Sequence, residues 1–386
     1  MPGLATLPPM KPMQVMGIMS GTSIDGVDYA VCSIDERRCE LRALWSVKFP
    51  PPLPRALHAA ARGEATSWEV AQLHHDLGRF YAAGAGRGPR GLRPALVGLH
   101  GQTIFHHPDP RAAATLQIGE PAWLAEALRV PVVSNFRAAD LAAGGQGAPL
   151  ATAFHVRAFG QRGQHICVNN LGGISNVTSI DWRRGTRSHP RVLAFDTGPA
   201  NVLMDLAMRH YTRGKQTFDR HGAWAARGRV CESLLEKWLQ HPFFAAPPPK
   251  STGRELFGEP FFARVLAETK RAKLSPHHVL ATLTAFTAQS IAMNYTRHLP
   301  GAPDAVVLAG GGGENPVLRA RLGEALLSAG METSVRTSSD TGWPAQSIEP
   351  AAFALLAWLR WTGKPGNLPE TTGARRAVNC GQITAM

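Results

Sequence analysis

A strand, a glycine-rich turn and a returning strand occur twice in this chain, and that repetition constrains the fold more than any other feature. The first copy runs from Gln14 to Asp35 as an apolar run (VMGIM), the turn SGTSIDG and a second apolar run (VDYAVCSI). The second runs from His165 to Asp181 as ICVNN, LGGISN and VTSI. Glycine reaches the backbone conformations a tight turn needs, and the flanking apolar residues favour strands. Each copy therefore reads as a β-hairpin, the first with its turn at Gly21 to Gly26. Two such hairpins predict an internal duplication.

Three further strands deliver polar groups at their carboxyl ends, where ligands of open α/β sheets bind. Ala95 to His100 leads into a loop HGQT, Arg191 to Phe195 into DTGP, and Asp304 to Ala309 into Gly310 to Gly313. Asn315 can cap the helix that follows, with Pro316 in its first turn. Apolar spacing of three and four predicts helices over Trp68 to Ala83, Glu120 to Arg129, Asn201 to Tyr211, Val279 to His298, Pro316 to Ala329 and Pro350 to Trp361. Residues 1–13 read as a loose leader, and the Pro-rich stretches Leu41 to Pro54 and Pro242 to Ser251 as loops. The mixture is α/β, and 386 residues suit two domains. The boundary is expected near Leu150, giving domains 1–150 and 151–386, with a C-terminal helix that can cross back.

Composition excludes several classes. No apolar run is long enough for a membrane span, and the N-terminus has no apolar segment of signal-peptide type, so a cytoplasmic protein with no membrane partner is expected. Five scattered cysteines with no CxxC pair argue against a disulfide framework and a zinc site. The net charge of +13 invites a nucleic-acid reading, but the 41 basic residues form no run beyond pairs such as Arg183-Arg184. Nucleic acid is therefore not an expected partner, although the field favours a small anionic substrate.

The strongest local motif is SGTSIDGVD. Gly21 and Gly26 let the backbone approach an anion, Thr22 and Ser23 add hydroxyls, and Asp25 can hold magnesium directly or through water. It is no Walker loop, because the lysine and the following helix are absent. On its own it also describes an ordinary β-turn. Asp196 ends an apolar strand, a place suited to a general base; taken alone it equally describes an Asp-initiated turn before a helix. Gly310, Gly311, Gly312 and Gly313 remove side chains from one surface, so a flat adenine or ribose can pack on backbone. The clusters His100-Gly101-Gln102-Thr103 and Asn135-Phe136-Arg137 with Asp140 bring hydrogen-bonding groups of the kind a sugar needs.

Read in order, SGTSIDGVD, HGQTIFHHP, LQIGEPAWLAE, NFRAADLAAGGQGAPL, NLGGISNVT, AFDTGPANVLMD and LAGGGGEN resemble the signature of the anhydro-N-acetylmuramic acid kinases, from about Met16 to Ala357. The resemblance implies a duplicated two-domain actin-like ATPase (ribonuclease H-like) fold with an interdomain active-site cleft. It implies ATP and magnesium as cofactors, and an ATP phosphate segment at Gly21, Thr22, Ser23, Ile24, Asp25, Gly26, Val27 and Asp28. Gly172 and Gly173 of the second turn would join Gly310 to Gly313 on the nucleotide. Asp196 would be the catalytic base, with Gln102, Glu120, Arg137, Asp140 and Glu349 near the sugar. Ala200 stands where many members carry glycine.

The implied reaction opens 1,6-anhydro-N-acetylmuramic acid with water and phosphorylates O6, giving N-acetylmuramic acid 6-phosphate and ADP for cell-wall recycling. A homodimer is implied as well. A conventional sugar kinase, or an actin-like ATP-binding protein without sugar chemistry, would share parts of this motif set.

Overall fold

The computed structural model describes residues 11–21, 23–109, 111–186 and 189–386. Most of the expected leader and Thr22 lie outside the described residues. The chain forms two compact units, one of Met1–Ala158 with Gln346–Met386 and one of Phe159–Ala345.

In the first unit, β1 (Met13–Ser20), β2 (Gly26–Ile34), β3 (Cys39–Lys48), β4 (Leu96–His107), β5 (Ala114–Ile118) and β6 (Val132–Ser134) share a sheet. Its order is β6-β4-β1-β2-β3, with β5 paired to β4. The neighbours β1/β2 and β2/β3 are antiparallel, while β1/β4 and β4/β6 are parallel. In the second unit, β7 (His165–Leu171), β8 (Ile174–Asp181), β9 (Arg191–Pro199), β10 (Ala305–Ala309) and β11 (Ser334–Thr337) lie in the order β11-β10-β7-β8-β9. Here too the pairs of the three-stranded meander are antiparallel and the pairs β7/β10 and β10/β11 parallel. The second sheet thus repeats the order and pairing of five of the first sheet's seven strands, which is the expected duplication. A last strand, β12 (Gln382–Thr384), adds antiparallel to β6.

The predicted helices form within a few residues of expectation, and Asn201–Tyr211 at its expected bounds. Ser275 caps the Pro276–His298 helix by accepting from the His278 amide, and Thr66 with Glu69 forms a capping box on Ser67–Ala85. The stretch expected as a loop at Leu41 to Pro54 is instead strand β3 followed by the Pro52–Ala61 helix. Its half-buried side chains pair with β2, Trp45 stacking on Tyr29 at 5.1 Å, and the prolines fall after the strand and in the first helical turn. Likewise β4 runs through HGQT to His107, because β5 pairs with its second half.

Arg157 donates to the Glu36 carbonyl and lies 5.7 Å over the Trp358 ring, tying most of the Thr152–Phe159 helix to the first unit. The apolar Ile348–Trp361 helix also belongs there and packs on β1, β2 and β4. Gly17 and Gly98, opposite each other on β1 and β4, make that packing possible: a Cβ on Gly17 would lie 1.7 Å from the Pro350 carbonyl oxygen, and one on Gly98 2.2 Å from that of Phe353. Each unit has its own core, built around Tyr29, Leu77 and Tyr81 in the first and Trp238, Phe286 and Ile291 in the second. All five cysteines are free. Among the described residues no helix is long and apolar enough to cross a membrane.

Candidate functional site

In the first unit the turn Gly21 to Asp25 joins β1 to β2, and a buried amide holds it. Gln102, fully buried on β4 and in register with Ser20, donates from Nε2 to the Gly21 carbonyl at 3.1 Å and accepts from the Ser20 hydroxyl through Oε1. These two bonds hold the turn, and Nε2 also donates to Thr103 O at 3.4 Å. Ile24 takes a positive φ of 53°, and its amide closes the turn on Gly21 O at 3.2 Å. Gly26 is required sterically, since a Cβ there would lie 2.8 Å from Val47 O. Val27 is buried in the core below.

The turn leaves its acids outward. Asp25 is exposed and its Oδ1 accepts from Ser23 Oγ at 2.7 Å. Asp28 accepts from Ser46 on β3; burial raises its pKa, the Ser46 hydrogen bond opposes the rise, and Asp25 adds to it. Magnesium takes one or two carboxylates and keeps several waters alongside phosphate oxygens. Asp25 on a glycine turn fits that limited demand. Among the described residues no group of three or more acidic, histidine or cysteine side chains offers a closed metal cage.

Arg137 anchors a second polar cluster of this unit. Its guanidinium donates to Gly147 O at 2.7 Å and to His100 Nε2 at 3.0 Å, and its buried Nε has no partner among the described residues. His100 donates from Nδ1 to Gly101 O at 2.7 Å, so Nε2 is the acceptor. Burial, then the Arg137 charge, hold its pKa well below the usual value, and the ring is neutral. Glu349, at the start of the Ile348–Trp361 helix, is solvent-accessible yet crowded by protein. That desolvation raises its pKa, the Asp28 carboxylate adds to the rise, and Arg137 opposes it. Arg137, Glu349 and Asp28 are thus brought into one electrostatic neighbourhood.

The other two residues assigned to the sugar have different surroundings. Asp140 is fully buried: Oδ1 accepts from Asn367 Nδ2 at 2.6 Å and Thr372 Oγ1 at 2.7 Å, and Oδ2 from the Gly147 amide at 2.7 Å. With no exposure and all these donors, it braces the Gly144 to Gly147 loop against the C-terminal segment instead of presenting a free carboxylate. Glu120 accepts the Ala122 amide at 2.9 Å and meets His74 Nε2 at 3.1 Å. His74 Nδ1 accepts from the Gly119 amide, so Nε2 carries the proton given to Glu120.

In the second unit the register between β8 and β9 slips: Ser175 pairs with Gly198 and Asn176 with Asp196, leaving Thr197 as the extra residue of a bulge. A bulge re-aims the neighbouring side chain. Asp196 accepts the Thr252 amide on Oδ2 at 2.8 Å, and its own amide donates to Lys250 O at 3.1 Å. Burial pushes its pKa up to about 6; the Thr252 bond opposes this and the Glu255 charge reinforces it. The stretch expected as a loop at Pro242 to Ser251, which opens with a short 3-10 turn at Pro242–Phe244, thus lies against this aspartate at its far end. Lys250 donates to Phe243 O at 3.2 Å and its pKa is lowered to about 8, chiefly by burial.

The second glycine turn, Gly172-Gly173, is bolted to the Asn201–Tyr211 helix. The amides of Ala200, Asn201 and Val202 donate to its carbonyls, and Asn201 Nδ2 donates to Leu171 O and Gly172 O. Gly310 has φ 74° and ψ 169°, and a Cβ there would lie 2.5 Å from Asn170 Oδ1; one on Gly312 would meet Leu171 Cβ at 2.8 Å. Gly313 is tight against Leu308, whereas a Cβ on Gly311 meets nothing within 4 Å. A cavity of about 450 Å³ opens beside Gly311, bounded by Asn201, Asp205, Phe218, His221 and Asn315. Of this set, sequence reasoning assigned only the glycine to a site, naming Asn315 as a helix cap and Asn201 as a helix start. Asp205 and Phe218 are 106 and 93 positions from Gly311, and no motif connects them.

Two sheets that share one five-strand order, each with a glycine hairpin, and in the second unit an aspartate beside a bulge and a glycine loop beside a cavity, have the duplicated α/β fold of the actin-like ATPase class. A family model for "Anhydro-N-acetylmuramic acid kinase" matches residues 13–386. The chain is 42% identical to the anhydro-N-acetylmuramic acid kinase of Acaryochloris marina over 96% of this chain and 99% of that one. It is 40% identical to that of Microcystis aeruginosa over 96% and 100%. Among solved structures, the activator of the 2-hydroxyisocaproyl-CoA dehydratase from Clostridium difficile with bound ADPNP aligns with a TM-score of 0.45, 9% identity, and coverage of 91% and 96%. The chain belongs to the anhydro-N-acetylmuramic acid kinase family.

Proposed function

We propose that this kinase opens 1,6-anhydro-N-acetylmuramic acid by water attack on C1 and transfers the γ-phosphoryl group of ATP to O6, in cell-wall recycling in the cytoplasm. The observation that carries the chemistry is Asp196, a carboxylate beside the β9 bulge with its pKa raised to about 6. A base poised near neutrality takes a proton efficiently while remaining ionised at working pH. The substrate has no free hydroxyl at C6, so a nucleophile must come from solvent. Asp196 takes the proton of that water, its oxygen bonds to C1, and the C1–O6 bond breaks. O6 then accepts the phosphoryl group as the bond to ADP breaks.

Magnesium, when bound with the nucleotide, neutralises charge on the phosphate oxygens. Asp25 would hold it, and the Gly21 to Asp28 turn would face the phosphates. Gly172, Gly173 and Gly310 to Gly313 would face the nucleotide, and the 450 Å³ cavity beside Gly311 would take the nucleoside. Arg137, with an unpartnered buried Nε, suits the lactyl carboxylate, and Glu349 suits a sugar hydroxyl. Gln102, Glu120 and Asp140 would act by holding backbone in place. We propose a homodimer as the working assembly.

The reaction run in oxygen-18 water, quenched early and compared with an unlabelled-product control, tests this reading by mass spectrometry. Heavy oxygen is expected at the anomeric hydroxyl and none in the phosphate. Label in the phosphate, or equal turnover of free N-acetylmuramic acid, would overturn it.

A further inference from the structure

The cavity beside Gly311 contains a carboxylate that the phosphoryl-transfer scheme does not use. Asp205 stands four residues after Asn201 on the Asn201–Tyr211 helix, one turn on and on the same face, and both line the cavity. It is half-buried, and no donor among the described residues hydrogen-bonds it. Arg209 and Arg254 act on it through space, and burial outweighs them, raising its pKa to about 6. A partly desolvated carboxylate without donors stabilises a ligand that brings hydroxyl groups, since a charged acceptor makes the stronger class of hydrogen bond. On the same cavity wall, Phe218 is 51% exposed, an apolar ring with no protein cover over half its surface. Arg220 lies 5.8 Å over that ring and fixes one of its faces. The pair offers an acceptor for a diol beside a platform for a flat base.

We propose that Asp205 accepts the ribose hydroxyls of the nucleotide while Phe218 packs against its base, making this cavity selective for ribonucleotides over 2′-deoxyribonucleotides. The inference rests on the reading of the cavity as the nucleoside site. It assigns sugar selectivity in the nucleotide to a residue on the Asn201–Tyr211 helix, separate from the glycine loop.

The test is calorimetric titration of the full chain with ADP and with 2′-deoxy-ADP. The protein should bind ADP roughly ten- to hundredfold more tightly than the deoxy form, as expected for a hydrogen bond to a charged group. Asp205→Ala should bring the two affinities together by weakening ADP more than the deoxy form, which offers only its 3′-hydroxyl, and Asp205→Asn, which keeps the shape and a neutral acceptor, should give an intermediate ratio. Phe218→Ala should weaken both ligands equally. Gly311→Val is the control for the underlying reading: its Cβ meets no protein atom within 4 Å, so the fold tolerates it while the cavity fills. If Gly311→Val leaves ADP binding unchanged, the cavity is not the nucleoside site. If Gly311→Val abolishes binding but Asp205→Ala keeps the ADP preference, the site stands and the role of Asp205 is overturned.

Discussion

The two hairpins share strand order and pairing yet are finished differently. The first, β1 to β2, has a longer turn that leaves Asp25 exposed and Asp28 partly so, and it is held from below by the Gln102 side chain. The second, β7 to β8, turns in two glycines, carries no acid there, and is held by Asn201 from a helix start. In both, a side-chain amide grips the turn carbonyls, so the backbone solution is the same. The second unit places its acid one strand further on, at Asp196 just before a bulge. The two copies share a scaffold and differ in their polar groups, and on the proposed reading the acids of the first would serve a metal ion and the aspartate of the second would serve as the base.

That division is broken most severely at Asp196. Asp196→Asn should lower kcat by roughly 10²–10⁴ with nucleotide affinity retained, the scale for removing a general base. Because the ionised form is the base and its pKa is about 6, kcat/KM of the unsubstituted enzyme should be flat above that pH. Below it the value should fall about tenfold per unit. A residual rate above a tenth, or an unchanged acid limb in the variant, would place the base elsewhere.

In the first copy the equivalent test is smaller. Asp25→Asn should raise the magnesium concentration needed for half-maximal rate by roughly tenfold, with thermal melting unchanged because the side chain is exposed. Full activity at limiting magnesium would remove Asp25 from the metal.

The glycines give the finest comparison, in stability. Gly310→Ala should cost about 1–3 kcal/mol, since its φ of 74° with ψ of 169° is a region open almost only to glycine. Gly21→Ala should cost under about 0.5 kcal/mol, because the nearest atom to its added Cβ is Ser23 Oγ at 3.8 Å. Urea denaturation of both variants decides whether the loop of the second unit is the one built under steric constraint.

The hairpins and strand ends were legible because glycine turns between apolar runs are local signals. Strand β3 was not, because the prolines that follow it at 50–52 dominated the reading of the whole stretch, and its side chains are only half-buried. Of the candidate site, Asp196 and the glycine loop stood out in sequence because each follows an apolar run, although β9 itself continues past Asp196 to Pro199. The donors that hold Asp196 did not: Thr252 is 56 residues away in a Pro-rich segment. Polar residues in short motifs give no sign of burial, and in the fold both Gln102 and Asp140 are fully buried, Gln102 bonded to the first turn and Asp140 to Asn367, Thr372 and the Gly147 amide. Glu349, Arg137 and Asp28 are likewise far apart in sequence and meet only through the fold.

The glycine pair at Gly17 and Gly98 also bears on the order in which the molecule is made. The helix seated on those glycines, Ile348–Trp361, leaves the ribosome after the entire second unit, Phe159–Ala345, has been synthesised. Until then the first sheet exposes to solvent the apolar face that this helix covers. The second unit is a continuous insert with its own core, so it can complete during synthesis, whereas the N-terminal unit cannot close before the C-terminal segment arrives. For this chain, synthesis begins with the first unit and folding finishes with it.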